Sequence, residues 1–155
     1  MITGTTSRQA TRKTKAASKT DRRIVLDVSA LLAWLFHEKG AEVVESLLSH
    51  AVIPLPNLAE VLVTAAAREI RMSSEALREC IIAYGVKVEP PAIGDELRAA
   101  ELIADTRARR VELGGTLSLG DGLCIAVAER LKLPVASGDQ LWSQLTLKVA
   151  FHFFR

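Results

Sequence analysis

Four acidic residues stand where a carboxylate could act on a substrate: Asp27 in "RIVLDVSALLAWLF", Glu60 in "NLAEVLV", Asp121 in "LSLGDGLCIAVA" and Asp139 in "VASGDQLW". Asp27 interrupts an otherwise nearly unbroken apolar run, and a charge taken out of water needs a partner, a cation or a set of hydrogen bonds. Local structure offers an explanation for each acid. Asn57 with Glu60, and Ser118 with Asp121, have the three-residue spacing of a capping box, in which the acid accepts a backbone N–H at a helix start. Asp139 fits an ordinary N-cap, and Asp27 or Ser29 fits the cap of a helix after the first strand. Taken singly, each acid is explained by capping.

The elements that carry the acids join them. Beginning at Ile24, short apolar runs alternate with helical patterns. Strands are predicted at "RIVLD", "AVIPL", "VKVE", "PVAS" and "LKVAF"; helices are predicted over roughly 30–36, 41–50, 58–71, 74–84, 95–110 and 119–131, with a short one near 140–145. Such alternation argues for an α/β fold with a mainly parallel sheet covered by helices on both faces. In open sheets of this kind ligands bind in the crevice at the carboxyl ends of the strands. Asp27 ends the first strand, Glu60 begins the helix after the second, and Asp139 follows "PVAS". Asp121 follows a loop, so the pattern alone does not place it with the other three.

Carboxylates gathered in one crevice repel: a pair ~5 Å apart costs on the order of 3 kcal/mol at an effective dielectric of ~20. Helix N-termini offset only part of that. A hard divalent cation resolves the conflict, because Mg²⁺ or Mn²⁺ takes carboxylate and water oxygens. A site of this type suits phosphodiester hydrolysis, in which the metal polarises a phosphoryl oxygen and acidifies a water. Capping alone would accept Ser, Thr or Asn at most of these positions, so four acids favour the catalytic reading.

In this order, "LDVSAL", "NLAEV", "LSLGD" and "ASGD" resemble the four acidic motifs of PIN-domain ribonucleases, and most closely the VapC toxins of VapBC toxin–antitoxin pairs. The resemblance spans about 24 to 155 and includes the "AAELIADTR" helix and the "CIAVAERLKLPV" run. It implies a PIN-like three-layer α/β/α domain. It also implies Asp27, Glu60, Asp121 and Asp139 as the catalytic, metal-binding acids, with Mg²⁺ or Mn²⁺ as the cofactor. Asp27 and Asp121 would hold the principal cation, Glu60 would bind it directly or through water, and Asp139 would complete a second position. Ser137, where such proteins often carry Ser or Thr before the last acid, and Ser29 are the supporting residues. The implied substrate is RNA, commonly tRNA or rRNA, cut to leave a 3′-hydroxyl and a 5′-phosphate. The implied partners are a second copy in a homodimer and a VapB-type antitoxin that wraps the toxin and blocks the acidic site. The alternative is a non-catalytic PIN-like module that binds RNA or protein.

Composition sets the frame. At 155 residues with 49% hydrophobic content, the chain suits one domain with a real core. No run approaches the roughly 20 apolar residues of a membrane span, and the expectation is a soluble cytoplasmic protein with no membrane partner. Residues 1–23 hold seven Lys or Arg against one acid, which leaves 13 bases and 17 acids for the rest. The tail, poor in apolar residues, is expected to be disordered. A solvated extension is the favoured reading over an arm whose basic side chains add salt-dependent affinity for phosphates, and such toxins usually begin within a residue or two of the first strand.

Rival chemistries are weaker. His37, His50 and His152 offer a general base, but no acid in a matching motif orients any of them. Cys80 and Cys124 have no neighbours at ligand spacing and read as buried free thiols. No phosphate-binding Gly-rich loop appears, and "ELGGT" reads as a helix stop. Trp34 and Trp142 sit at apolar helical positions that suit a core better than base stacking. Arg107, Arg109 and Arg110 suit a solvated helix end slightly better than an RNA contact. A metal-dependent nuclease for DNA structures would need extra modules for which the chain lacks room.

Overall fold

Short apolar runs become strands only where neighbours take up their backbone hydrogen bonds, and here five do so side by side. The computed structural model describes residues 21–155. The expected disordered tail therefore lies outside the described residues, save for its last three. The elements in chain order are β1 (Ile24–Leu26), α1 (Val28–Leu35), α2 (Ala41–Leu47), β2 (Ala51–Pro54), α3 (Leu55–Ala67), α4 (Ser74–Ala83) and β3 (Lys87–Glu89). They continue with α5 (Asp95–Ala108), α6 (Arg110–Leu113), α7 (Leu119–Leu131), β4 (Val135–Ser137) and β5 (Phe151–Phe153), with 3-10 turns at Leu48–His50 and Gln140–Gln144.

The strands lie in the order β3-β2-β1-β4-β5, and every pair is parallel. Val25 in the central β1 faces Val52 on one side and Val135 on the other. A central parallel strand is covered on both faces, which is why "IVL" is apolar without alternation. Its side chains still divide by the two-residue period of a strand. Ile24 and Leu26 join a core with Leu31, Val44, Ile53 and Ile81. Val25 joins the opposite core with Leu102, Ile125, Val135 and Trp142. Helices α1 to α4 cover the first face and α5 with α7 the second, giving three layers. Gly122 lets α7 approach α5, since a Cβ there would lie 2.9 Å from Ile103 Cδ1 and 3.2 Å from the Ala99 carbonyl oxygen. Two ion pairs fasten the same helices: Arg98 to Glu129 at 2.7 Å and Arg130 to Asp95 at 3.0 Å.

Several boundaries differ from the sequence pattern. The third helix begins at Leu55 rather than Leu58, because Pro56 tolerates a first-turn position where its missing N–H has no partner to lose. The helix expected over 95–110 breaks at Arg109, and a separate short helix follows. The last strand is Phe151–Phe153, not "LKVAF"; Leu147 and Val149 instead pack against the second core without joining the sheet. Cys124 is buried as expected, whereas Cys80 is only partly so. Trp142 lies in the core, and Trp34 is half-buried in a T-shaped contact with Tyr84 at 4.7 Å. Among the described residues no helix is long and apolar enough to cross a membrane.

Candidate active site

Strand order reverses between β1 and β4, and their carboxyl ends open the crevice where α/β sheets place ligands. Asp27 is the first residue past β1 and caps α1, accepting a hydrogen bond from the Ser29 N–H. It is only 4% exposed. Its Oδ2 also accepts from Ser29 Oγ at 2.8 Å and from Ser137 Oγ, at the end of β4, at 3.0 Å. The two serines extend the link: Ser137 Oγ accepts from the Asp139 N–H at 3.1 Å and Ser29 Oγ from the Gly138 N–H at 2.9 Å. One small network therefore ties the β4 turn to Asp27. Arg155 closes its outer side by donating from Nε to the Gly138 carbonyl at 3.2 Å.

Asp121 enters from α7. Ser118 and Asp121 form the capping box that their spacing predicted, with reciprocal bonds of 3.1 and 2.8 Å. The predicted Asn57–Glu60 box does not form. Because α3 starts earlier, Asn57 lies inside its first turn, fully buried, and donates from Nδ2 to the Gly120 carbonyl at 3.1 Å. Glu60 is exposed on the same side: a Cβ added to Gly120 would lie 2.6 Å from its Oε2. Asp139 is exposed too and accepts the Leu141 N–H at 2.9 Å as the cap of the following 3-10 turn.

The charges show which acids meet. Burial, and then the Asp121 carboxylate, push the Asp27 pKa from 3.8 to about 6, against the lowering effect of Ser29, Ser137 and the Val28 N–H. Burial also raises Asp121, helped by Asp139 and opposed by the Ser118 hydrogen bonds. The Cys124 thiol beneath them is pushed up by burial and by both Asp27 and Asp121. Asp27–Asp121 and Asp121–Asp139 are thus interacting pairs, whereas Glu60 lies beside Gly120, the neighbour of Asp121 in the chain, and is not among the charges that act on it. Even so, no three His, Cys, Asp or Glu side chains among the described residues close up into a ready cation cage. Like charges repel, and Asp121 and Asp139 each turn to a helix-end N–H instead.

The donors nonetheless fit a hard cation. The four acids offer oxygens alone, and among the described residues no Lys or Arg acts to lower either raised carboxyl. The histidine rival fares worse, since His37, His50 and His152 are exposed and, among the described residues, His50 bonds only to its neighbour Ser49. Of the three arginines, Arg109 is held by Asp105 and Glu112, as befits a helix end. Arg107 lines a groove with Ile103, Leu119 and Leu123 that leads to the start of α7. Sequence reasoning missed Gly120, Gly138 and Arg155; the glycine before each of the last two acids was the only local sign.

A parallel sheet ordered 3-2-1-4-5, with carboxylates at its switch point, defines an α/β domain with an acidic crevice. The sequence profile of the PIN domain matches residues 24–146, and the chain belongs to that family. No curated protein sequence matches it. Solved structures do. VapBC2 from Rickettsia felis bound to a promoter DNA fragment aligns over 83% of this chain and 96% of its own, at 12% identity and a TM-score of 0.61. The sarcin–ricin loop cleaving toxin VapC20 from Mycobacterium tuberculosis aligns over 82% and 98%, at 16% identity and a TM-score of 0.61. FitAcB from Neisseria gonorrhoeae aligns over 83% and 95%, at 20% identity and a TM-score of 0.53. At these identities the likeness is one of fold.

Proposed function

We propose that this PIN-domain protein is a Mg²⁺- or Mn²⁺-dependent endoribonuclease of the toxin type, acting in the cytoplasm on tRNA or rRNA and held in check by a VapB-type antitoxin. The observation that carries the reading is Asp27: a buried carboxylate at the sheet's switch point, with its pKa lifted by burial and by a second carboxylate. The cost of keeping that charge is offset by a bound cation. Asp27 and Asp121 would hold it, Glu60 would join directly or through water, and Asp139 would serve a second position. The chemistry supplied by the cation, once bound, is polarisation of a phosphoryl oxygen and acidification of a water. The chain's own part is orientation. Ser29 and Ser137 fix one oxygen of Asp27, the capping box fixes Asp121, and Gly138 with Arg155 holds the turn that carries Asp139. The VapB-type antitoxin in this reading is supported by VapBC2 and a toxin–antitoxin complex from Klebsiella pneumoniae, which share the fold, and a homodimer is part of the same proposal.

A second reading, a non-catalytic module that binds RNA or protein, is favoured by the caps that Asp121 and Asp139 make. Incubating the purified chain with a small-RNA pool in Mn²⁺ separates the two readings. Cutting that is lost with EDTA and in Asp121→Asn supports the nuclease. No cutting by the folded, antitoxin-free protein supports the module.

A further inference from the structure

Asn57 does work that neither a cap nor a core residue requires. It and Glu60 are three residues apart in α3 and so share one helix face. Its side chain is fully buried, yet only half of its amide is satisfied: Nδ2 donates to the Gly120 carbonyl, while Oδ1 has no partner among the described residues. The orientation is settled by chemistry, since turning the amide over would set Oδ1 against the Gly120 oxygen, two acceptors face to face. A buried acceptor without a donor weakens a fold. Gly120, as a helical residue, also has the intrahelical ladder for its carbonyl. Stability alone would therefore favour an apolar side chain at position 57.

What the bond achieves is placement. Gly120 is the second residue of α7 and the neighbour of Asp121, and the Glu60 carboxylate lies where a Gly120 side chain would be. We infer that Asn57 is a positioning residue that clamps α3 to the start of α7 and so sets the reach between Glu60 and Asp121. The inference rests on the metal-dependent reading above. Residues that orient ligands from behind typically change metal affinity about 10–100-fold when altered.

The test is Mn²⁺ binding to the full metal-stripped chain, followed by calorimetry, with thermal unfolding of the metal-free proteins alongside. Wild type, Asn57→Leu, Asn57→Ala and Asp121→Asn are compared. The clamp predicts that Asn57→Leu binds Mn²⁺ about 10–100-fold more weakly while its metal-free unfolding midpoint stays at or above that of wild type. Should Asn57→Leu fail to fold, Asn57→Ala supplies the same comparison. Affinity within about twofold of wild type overturns the inference, as does weaker binding that merely tracks a large fall in the midpoint. If wild type and Asp121→Asn bind Mn²⁺ equally poorly, the metal site itself is overturned and the clamp with it. If only the Asn57 variants match wild type, the clamp alone falls.

Discussion

Replacing Asp27 by Asn should stabilise the metal-free protein, and by an amount that depends on pH. Asn keeps the shape of the side chain, and its amide oxygen can accept from Ser29 and Ser137 as Oδ2 does now. What is lost is the charge. A carboxyl whose pKa rises from 3.8 to about 6 on folding holds its proton more tightly in the folded state. Its contribution is therefore most favourable below pH 3.8 and is lost as the pH rises through about 6. At 1.36 kcal/mol per pH unit, the ionised group then leaves the fold about 3 kcal/mol worse off than a neutral one would. For a domain of this size that corresponds to about 6–12 °C in unfolding midpoint. Urea unfolding in EDTA from pH 4 to 8 should show wild type and Asp27→Asn nearly equal at the acid end and about 3 kcal/mol apart above pH 7. Adding Mn²⁺ should then raise only the wild type, since a ligand stabilises the state that binds it. A gap that stays constant with pH, or a wild type that is the more stable at pH 7.5, would refute the claim that Asp27 is a desolvated charge.

Three further outcomes follow from the same geometry. Gly120→Ala improves helix propensity by about 1 kcal/mol but drives a methyl into the Glu60 carboxylate; the unfolding midpoint should hold or rise while RNA cleavage falls at least about tenfold, and unchanged cleavage would remove Glu60 from the site. Ser137→Ala takes a donor from Asp27 and the acceptor from the Asp139 N–H; it should cost about 1–3 kcal/mol in urea unfolding. The same change should move the acid limb of the pH–cleavage profile to higher pH, because Ser137 helps to keep Asp27 ionised. Arg98→Ala strips Glu129, whose side chain is 5% exposed, of its ion pair and should cost about 1–3 kcal/mol at pH 7. Burial raises Glu129, but Arg98 and the Lys148 N–H outweigh it and leave its pKa lowered. The ion pair's contribution is thus present above pH 4.5 and lost on acidification, so the Arg98→Ala deficit should shrink towards pH 4.

Features governed by a few neighbouring residues were legible in the sequence. The apolar run of β1, the alternation of strands with helices, the Ser118–Asp121 box and the caps made by Asp27 and Asp139 all depend on periodicity or on a cap reaching two or three positions along the chain. Tertiary structure decided the rest. Asp27 meets Ser137 across 110 residues because β4, rather than β5, pairs with β1. No local pattern encodes strand order, and that order also sets where the switch point opens. Asn57 has the spacing of a cap, yet the earlier start at Leu55 turned it inward to hold Gly120 on another helix. Glu60 came to lie beside Gly120 through the same packing of α3 against α7. Periodicity and capping are short-range and can be read residue by residue, whereas a carboxylate's partners, and hence its charge, depend on which elements the core packs together.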